Sequence, residues 1–231
     1  KGIDVFIEAM HRLNNDERLK KQVVAFIEVP AWIADNREDL RERLASGKHF
    51  DEPLPTPVIT RWLHNMGEDR VLNMMRSLDM LNRKYDKVKT IFIPCYLTGD
   101  DGIVDLPYFD VTLGNDLSVY PSYYEPWGYT PLESTAFHVP TITTNLSGFG
   151  LWVNSEIGRN GEIADGVKVI HRTDYNYSDV ANAIKETIVQ YANMSDDEVK
   201  SARDNASKLS KRALWKQFIV YYEQAYDLAL R

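Results

Sequence analysis

Short apolar segments rich in β-branched residues alternate with segments of helical periodicity through the second half of the chain. The apolar segments are residues 88–94, 116–122, 139–145 and 166–172, and helical patterns occupy 107–115 and 130–138 between them. Parallel strands need crossover connections, which are usually helices. The alternation therefore predicts an α/β fold, a parallel sheet with helices on both faces.

The remaining segments extend the same organisation. KQVVAFIEVP, at 21–30, predicts one more buried strand, and the proline-rich HFDEPLPTPVIT that follows residue 48 predicts an irregular loop. Further helices are predicted at 2–14, 35–46, 66–84, 178–193, 196–212 and 213–230. A chain of 231 residues can form one large domain, so we expect a single domain over 1–231.

Composition excludes several classes of partner. The net charge of −7 argues against nucleic acid, and no apolar run approaches the roughly 20 residues that a membrane span requires. Cys95 is the single cysteine, which excludes an internal disulfide and a cysteine-based metal cluster. We expect Cys95 to be a small buried hydrophobic residue in a protein of the reducing cytoplasm.

YEPWGYTPLE, at 124–133, is the candidate site, because it joins the strand at 116–122 to the helix that follows. Sheets of this type bind ligands beyond the carboxyl ends of their strands. In a purely structural interpretation, Thr130 is the N-cap, Pro131 the first helical residue, and Glu133 completes a capping box. Glu125 has no comparable structural explanation.

The functional interpretation starts from the same helix. A helix amino end attracts phosphate, Gly128 lets a ligand approach the backbone closely, and Thr130 can add a hydroxyl donor. Glu125 and Glu133 would be poor phosphate ligands but good acceptors for sugar hydroxyl groups. The segment therefore predicts a nucleotide-sugar pocket.

The sequences of several segments resemble those of a known protein family. Two glutamates separated by seven residues at a strand-to-helix junction resemble the signature of retaining glycosyltransferases with two facing Rossmann-like domains, the GT-B class. The chain is similar to the C-terminal, donor-binding half of animal and fungal glycogen synthases. The segments that carry this resemblance are KGIDVFIEAMHRLN, ITRWLHNMGEDRVLNMMRS, PSYYEPWGYTPLE and TNLSGFG.

The resemblance implies roles for individual residues. Glu125 would lie at the transferred glucose and Lys1 at the phosphates, the two catalytic candidates. Glu133 would accept hydrogen bonds from the donor ribose. The substrate-binding set that the resemblance implies is Tyr108, Trp127, Gly128, Tyr129, Thr130, Glu133, Ser147 and Gly148.

Within this set, the amides of Tyr129 and Thr130 would bind the diphosphate, and Tyr108 would stack on the base. Packing on its helix is the competing interpretation for Tyr108, and a solvated terminal lysine is the competing interpretation for Lys1. Trp127 is expected to shape the loop by packing. For the NLSGFG segment, which contains Ser147 and Gly148, lining the sugar end and forming a plain glycine turn are both open.

The activity implied is glucosyl transfer, with retention, from a nucleoside-diphosphate glucose to the 4-hydroxyl of an α-1,4-glucan such as glycogen. UDP-glucose is favoured over ADP-glucose as donor, and no metal or other cofactor is expected because Lys1 and the helix end can stabilise the leaving group. A homo-oligomer is possible. The alternatives are another retaining GT-B glycosyltransferase and a catalytically silent nucleotide-binding module.

Three expectations concern departures from the family pattern. The chain begins at Lys1 without the family's N-terminal domain or the first strand of its Rossmann unit, so we expect a piece that is inactive by itself. The shortness of residues 30–60 makes tetramerisation doubtful. The family's regulated enzymes bind glucose 6-phosphate through a cluster of arginines, and the corresponding segment here has lysines at several positions. Lysine does not bind phosphate in the bidentate way that arginine does, so no activation by glucose 6-phosphate is expected. The basic residues of this segment are Arg203, Lys208, Lys211, Arg212 and Lys216.

Overall fold

A computed structural model describes all residues, 1–231, and divides the chain into two compact units. Unit 1 consists of Lys1–Gly114 and Asp174–Asn193, and unit 2 of Asn115–Thr173 and Met194–Arg231. None of the helices combines the length and the apolar character needed to cross a membrane.

Helices and strands alternate along most of the chain. The strands are β1 (Val23–Glu28), β2 (Ile33–Asn36), β3 (Arg61–Leu63), β4 (Val88–Ile93), β5 (Ser118–Val119), β6 (Thr141–Thr144) and β7 (Val167–Ile170). The helices are α1 (Ile3–Asn14), α2 (Glu38–Ser46), α3 (Arg70–Ser77), α4 (Tyr108–Gly114), α5 (Tyr129–Ala136), α6 (Gly148–Ile157), α7 (Tyr177–Ala192), α8 (Asp196–Ser210) and α9 (Trp215–Ala229).

Unit 1 contains one parallel and one antiparallel strand pair. β1 pairs in parallel with β4, in a register that runs from Val23 opposite Val88 to Glu28 opposite Ile93. β2 pairs antiparallel with β3. Helix α1 contributes its apolar stripe to the core and contacts α7; the buried residues of α1 are Val5, Ile7, Ala9, Met10 and Leu13.

Unit 2 contains a three-stranded parallel sheet in the order β5-β6-β7. Thr141 of β6 lies opposite Ser118 on one side and Val167 on the other. Its core packs α6 and α8 around the sheet, and the buried members are Phe149, Val153, Val167, Val169 and Leu209. Parallel strands connected by helices in both units confirm the predicted α/β class.

The predicted helix at 66–84 is wrong in extent, because α3 ends at Ser77. Asp79 and Asn82 have φ angles of 55° and 53°, a left-handed conformation that ends a helix. The Asn82 side chain instead accepts a bond from the amide of Thr90 and donates one to its carbonyl oxygen. Helical spacing of apolar residues could not reveal this contact with β4.

The structure differs from the sequence-based expectations at three more places. β1 is only partly buried, since Val24 and Phe26 are 49% and 41% exposed. The strands β2 and β3 are short and lie beside the proline-rich loop, where no strand was predicted. Helix α6 was missed because it begins with Gly-Phe-Gly, and glycine has poor helix propensity.

Candidate functional site

The loop between β5 and α5 is fixed to the turn between β6 and α6. The amide of Glu125 donates to the carbonyl oxygen of Leu146 at 3.0 Å, and the amide of Gly148 donates to the carbonyl oxygen of Glu125 at 3.0 Å. Glu125 therefore forms a parallel bridge with Ser147 beyond the regular ends of the strands. Its main chain is held at the carboxyl-end edge of the sheet, where a ligand site is expected.

The side chain of Glu125 begins beside the amino end of α5. Gly128 is the N-cap of α5 and has a φ of 110°, a conformation that L side chains rarely adopt. A Cβ atom built on Gly128 would lie 3.5 Å from Cγ of Glu125 and 3.0 Å from Oγ of Ser147. Three of the predicted site residues thus converge around the first turn of the helix.

Ser147 and Gly148 hold the preceding loop by direct contact. Oγ of Ser147 donates to the carbonyl oxygen of Trp127 at 2.8 Å, and the amide of Phe149 donates to the same oxygen at 2.7 Å. A Cβ atom on Gly148 would lie 2.2 Å from the carbonyl oxygen of Pro126, so no larger residue fits there without displacing the backbone. The glycine is needed for close approach of two backbone segments.

Trp127 anchors the loop in the core of unit 2. Its ring packs against Phe149 and Phe218 in edge-on geometry, with centroids 6.1 Å and 5.5 Å away, and against Trp152 at 5.9 Å. Aromatic pairs at these separations are favourable in edge-on arrangements. This packing accords with the expectation that Trp127 shapes the loop.

The capping box predicted for α5 is wrong. The helix begins at Tyr129, and its N-cap, Gly128, makes no side-chain cap hydrogen bond. Thr130 is therefore the second helical residue and Glu133 the fifth, too far along the helix to cap it. Because Gly128 reaches a positive φ without strain, the chain enters the helix before the threonine.

This correction leaves the site groups available. The amides of Tyr129 and Thr130 lie in the first helical turn, where backbone N–H groups have no acceptor within the helix. Tyr129 is 73% exposed. Glu133 is half-buried, and no residue of the 231 forms a hydrogen bond or ion pair with its carboxylate. The amino end of the helix can bind an anion, and the Glu133 carboxylate can accept hydrogen bonds from hydroxyl groups.

Lys1 and Tyr108 belong to unit 1. Lys1 is exposed and precedes Gly2, the N-cap of α1, which has a φ of 88°. Tyr108 opens α4, is half-buried, and packs against the cluster formed by Ile93, Cys95 and Leu97. Cys95 is buried as expected, and burial raises the pKa of its thiol.

Sequence reasoning missed Arg172, which lies two residues after the end of β7 and is 1% exposed. Its guanidinium group contacts Pro121 and Tyr123, in the segment that precedes Glu125. The available signal was a charged residue at the carboxyl end of an apolar strand, HR after VKVI, at the same edge as the candidate site.

A cavity of about 500 Å³ also opens in unit 2, at the start of α9. Three basic residues of the segment 203–217 line it: Lys211, Arg212 and Lys216. Arg212 lies 3.6 Å from the carboxylate of Glu156, another lining residue. No group of three or more His, Cys, Asp or Glu side chains among the 231 residues is arranged to hold a metal ion.

Comparison with known proteins identifies the family. The family model described as Glycogen synthase matches residues 34–231, most of the chain. The chain belongs to the glycogen synthase family. Its relatives include the "Glycogen [starch] synthase" of Neurospora crassa, 30% identical, and isoform 2 of Saccharomyces cerevisiae, 32% identical. The liver enzyme of Rattus norvegicus is 31% identical.

Each of these three alignments covers 100% of this glycogen synthase family chain and 39–41% of the relative. The chain thus spans about two fifths of the length of the curated relatives that it matches. Among solved structures, WaaG, "a glycosyltransferase involved in lipopolysaccharide biosynthesis", has a TM-score of 0.42 and 15% identity, over 89% of this chain and 46% of that one. The family assignment depends on the family model and on the sequence relatives.

Proposed function

We propose that this glycogen synthase family chain is the donor-binding part of a retaining glucosyltransferase and binds a nucleoside-diphosphate glucose at the amino end of α5. The observation that carries the proposal is the place of Glu125. Its Cγ atom lies 3.5 Å from the position that a Cβ atom on Gly128 would take. A carboxylate that can accept hydrogen bonds from a hexose therefore lies close to the proposed diphosphate site. Phosphate donors next to a carboxylate suit a sugar nucleotide.

In this proposal the diphosphate binds the amides of Tyr129 and Thr130, in the first turn of α5. Negative charge grows on the diphosphate as the glycosidic bond breaks, and the helix end stabilises that charge through its dipole and its unpaired N–H groups. Glu125 accepts hydrogen bonds from the hexose. Glu133, one helical turn further along, accepts them from the ribose.

The reaction would be transfer of glucose to the 4-hydroxyl of an α-1,4-glucan such as glycogen, with UDP-glucose favoured over ADP-glucose as donor. Support comes from the family and from the relatives, which are named glycogen [starch] synthases. The roles of Lys1 and Tyr108 stay predictions, because both belong to unit 1 and the proposal is built on unit 2. Cytoplasmic location and a homo-oligomer also stay predictions.

The proposal is tested by calorimetric titration of UDP, ADP, UDP-glucose and ADP-glucose into the 231-residue chain. We expect a diphosphate nucleotide to bind and the attached glucose to add affinity. Glu125→Ala should remove the contribution of glucose and leave that of the nucleotide. The matched control is Glu223→Ala on the exposed face of α9, which should bind like the wild type. Absence of binding by all four ligands would reject the proposal.

In the complete enzyme, Glu125→Ala should lower turnover by about 10²–10³, the typical effect of losing one pre-aimed polar group at the reacting centre. Radiolabelled transfer from the preferred sugar nucleotide to a glucan primer measures this rate. Turnover within threefold of the wild type would reject the role of Glu125. Binding of sugar nucleotides without any transfer in the wild type would favour the silent nucleotide-binding module.

A further inference from the structure

Arg172 connects the carboxyl ends of all three strands of unit 2. The residue follows β7, and its backbone amide donates to Oδ1 of Asn145, which directly follows β6. Its Nη1 donates to the carbonyl oxygen of Pro121, in the segment after β5. The guanidinium carbon also lies 3.3 Å from the ring centroid of Tyr123, a close cation–π stack. The side chain is thus held against the segment that leads to Glu125.

Fold stability does not explain why a full positive charge is buried here. Arg172 forms no ion pair with any of the 231 residues, and its buried Nε and Nη2 atoms have no hydrogen-bond acceptor in the protein. Each unpaired buried donor costs free energy, and this cost offsets what the stack on Tyr123 contributes.

Arg172 and its neighbours hold the segment 121–125 in place through contacts with several of its residues. Arg172 contacts residues 121 and 123. The hydroxyl group of Thr144 donates to the carbonyl oxygen of Ser122 at 2.9 Å, and Glu125 is bound to Leu146. Loss of the Arg172 side chain would remove its contacts with residues 121 and 123. The Glu125 carboxylate would then be less well placed.

We propose that Arg172 is a positioning residue, which acts through Pro121 and Tyr123 to hold Glu125 where it meets the hexose of the donor. The inference rests on the proposed function for the identity of the sugar. The placement of Glu125 itself is a property of the unliganded chain. The role of Arg172 and the proposed function can therefore be tested separately.

The first test measures amide hydrogen exchange in the unliganded 231-residue chain. Arg172→Met should speed exchange of the Glu125 amide at least about tenfold, because the segment opens more often. The amide of Val169 in β7, which donates to Gly161 at 3.0 Å, reports the fold of unit 2 away from Glu125 and should exchange as in the wild type. Arg172→Lys keeps a donor for Pro121 but loses the planar stack, so it should give an intermediate rate.

The matched control is Arg159→Met, which removes an exposed guanidinium that is paired with Asp165 in the same unit. This variant should leave the Glu125 amide unchanged. Two results would overturn the inference: an unchanged Glu125 amide in Arg172→Met, or equal acceleration of the Glu125 and Val169 amides. The second result would mean that Arg172 only supports the fold.

The second test compares the affinity for the nucleoside diphosphate with that for its glucose conjugate. Arg172→Met should weaken binding of the glucose conjugate at least about tenfold, while the affinity for the nucleoside diphosphate stays within about twofold of the wild-type value. Equal weakening of both ligands, or of neither, would contradict a role in placing Glu125. A wild-type chain that binds no nucleotide would reject the proposed function, and the exchange measurement would still decide whether Arg172 holds Glu125.

Discussion

The hydroxyl group of Ser147 donates a 2.8 Å hydrogen bond to the carbonyl oxygen of Trp127, 20 residues earlier in the chain. Ser147 itself is buried, with only 1% of its surface exposed. It joins the N-cap of α6 to the residue before Gly128, the N-cap of α5. This side chain therefore adds to the backbone hydrogen bonds that hold the amino ends of two helices in unit 2 together.

Ser147→Ala should lower the free energy of unfolding of unit 2 by about 1 kcal/mol. The loss is modest because the carbonyl oxygen of Trp127 keeps its bond from the amide of Phe149. Urea unfolding followed by tryptophan fluorescence measures the change. Ser155→Ala, on the exposed face of α6, is the control and should be neutral. Equal stability of the two variants would contradict the assigned contact.

Gly148→Ala should be more disruptive than Ser147→Ala. The added methyl group would lie 2.2 Å from the carbonyl oxygen of Pro126, so the loop before α5 must move. Overpacking of this kind typically costs about 1–3 kcal/mol, and we also expect weaker binding of the sugar nucleotide. The measurements are thermal unfolding and calorimetry. Gly114→Ala, where the methyl group meets no atom within 4 Å, should change neither quantity.

Glu133→Gln should weaken binding of the nucleoside diphosphate about tenfold or more, because hydrogen bonds to a charged acceptor contribute about 1.5–3 kcal/mol. Binding of inorganic pyrophosphate, which has no ribose, should not change. Stability should not change either, since Glu133 is not a capping residue. Loss of about 0.5–2 kcal/mol of stability, with unchanged nucleotide affinity, would instead restore the capping role.

Unit 1 should lose stability in acid through Glu186. Hydrogen bonds from Arg18 and Lys185 lower the pKa of Glu186 to about 2, from an ordinary 4.5. A lowered folded-state pKa means that the stabilisation is complete above about pH 4.5 and disappears as pH falls through about 2. Because Glu186 is 42% exposed, solvent screening limits the effect to about 1 kcal/mol or less.

The measurement is denaturant unfolding of the wild type and Glu186→Gln at pH 6 and at pH 2. We expect the variant to be less stable at pH 6 and the difference to shrink at pH 2. Glu223→Gln, on the exposed helix α9, is the matched control and should follow the wild type at both pH values. A difference that is independent of pH would rule out the ion pairs as its source.

Several features of the site follow from short stretches of sequence. The apolar run before YEPWGYTPLE predicted a strand, the residues after it predicted a helix, and Glu125 was assigned to the junction. The structure has β5 before the junction and α5 after it. Periodicity and turn chemistry act over a few residues, which is why they can be recognised locally.

Other features depend on contacts between distant segments. The role of Gly148 requires the backbone of Pro126, earlier in the chain, to lie beside it. The end of α3 depends on Asn82 pairing with β4. The spacing of apolar residues does not encode these contacts, because each depends on where another segment of the chain comes to lie.

The amino-acid sequence by itself determined the α/β class, the family and the acidic pair Glu125 and Glu133 around a helix start, since these depend on periodicity and on residue identity. Only the tertiary structure decided that Glu133 caps nothing and that Arg172 lies buried against the segment before Glu125. Helix caps and buried charges depend on exact backbone angles and on neighbours far away in the chain. Those are set when the whole unit packs.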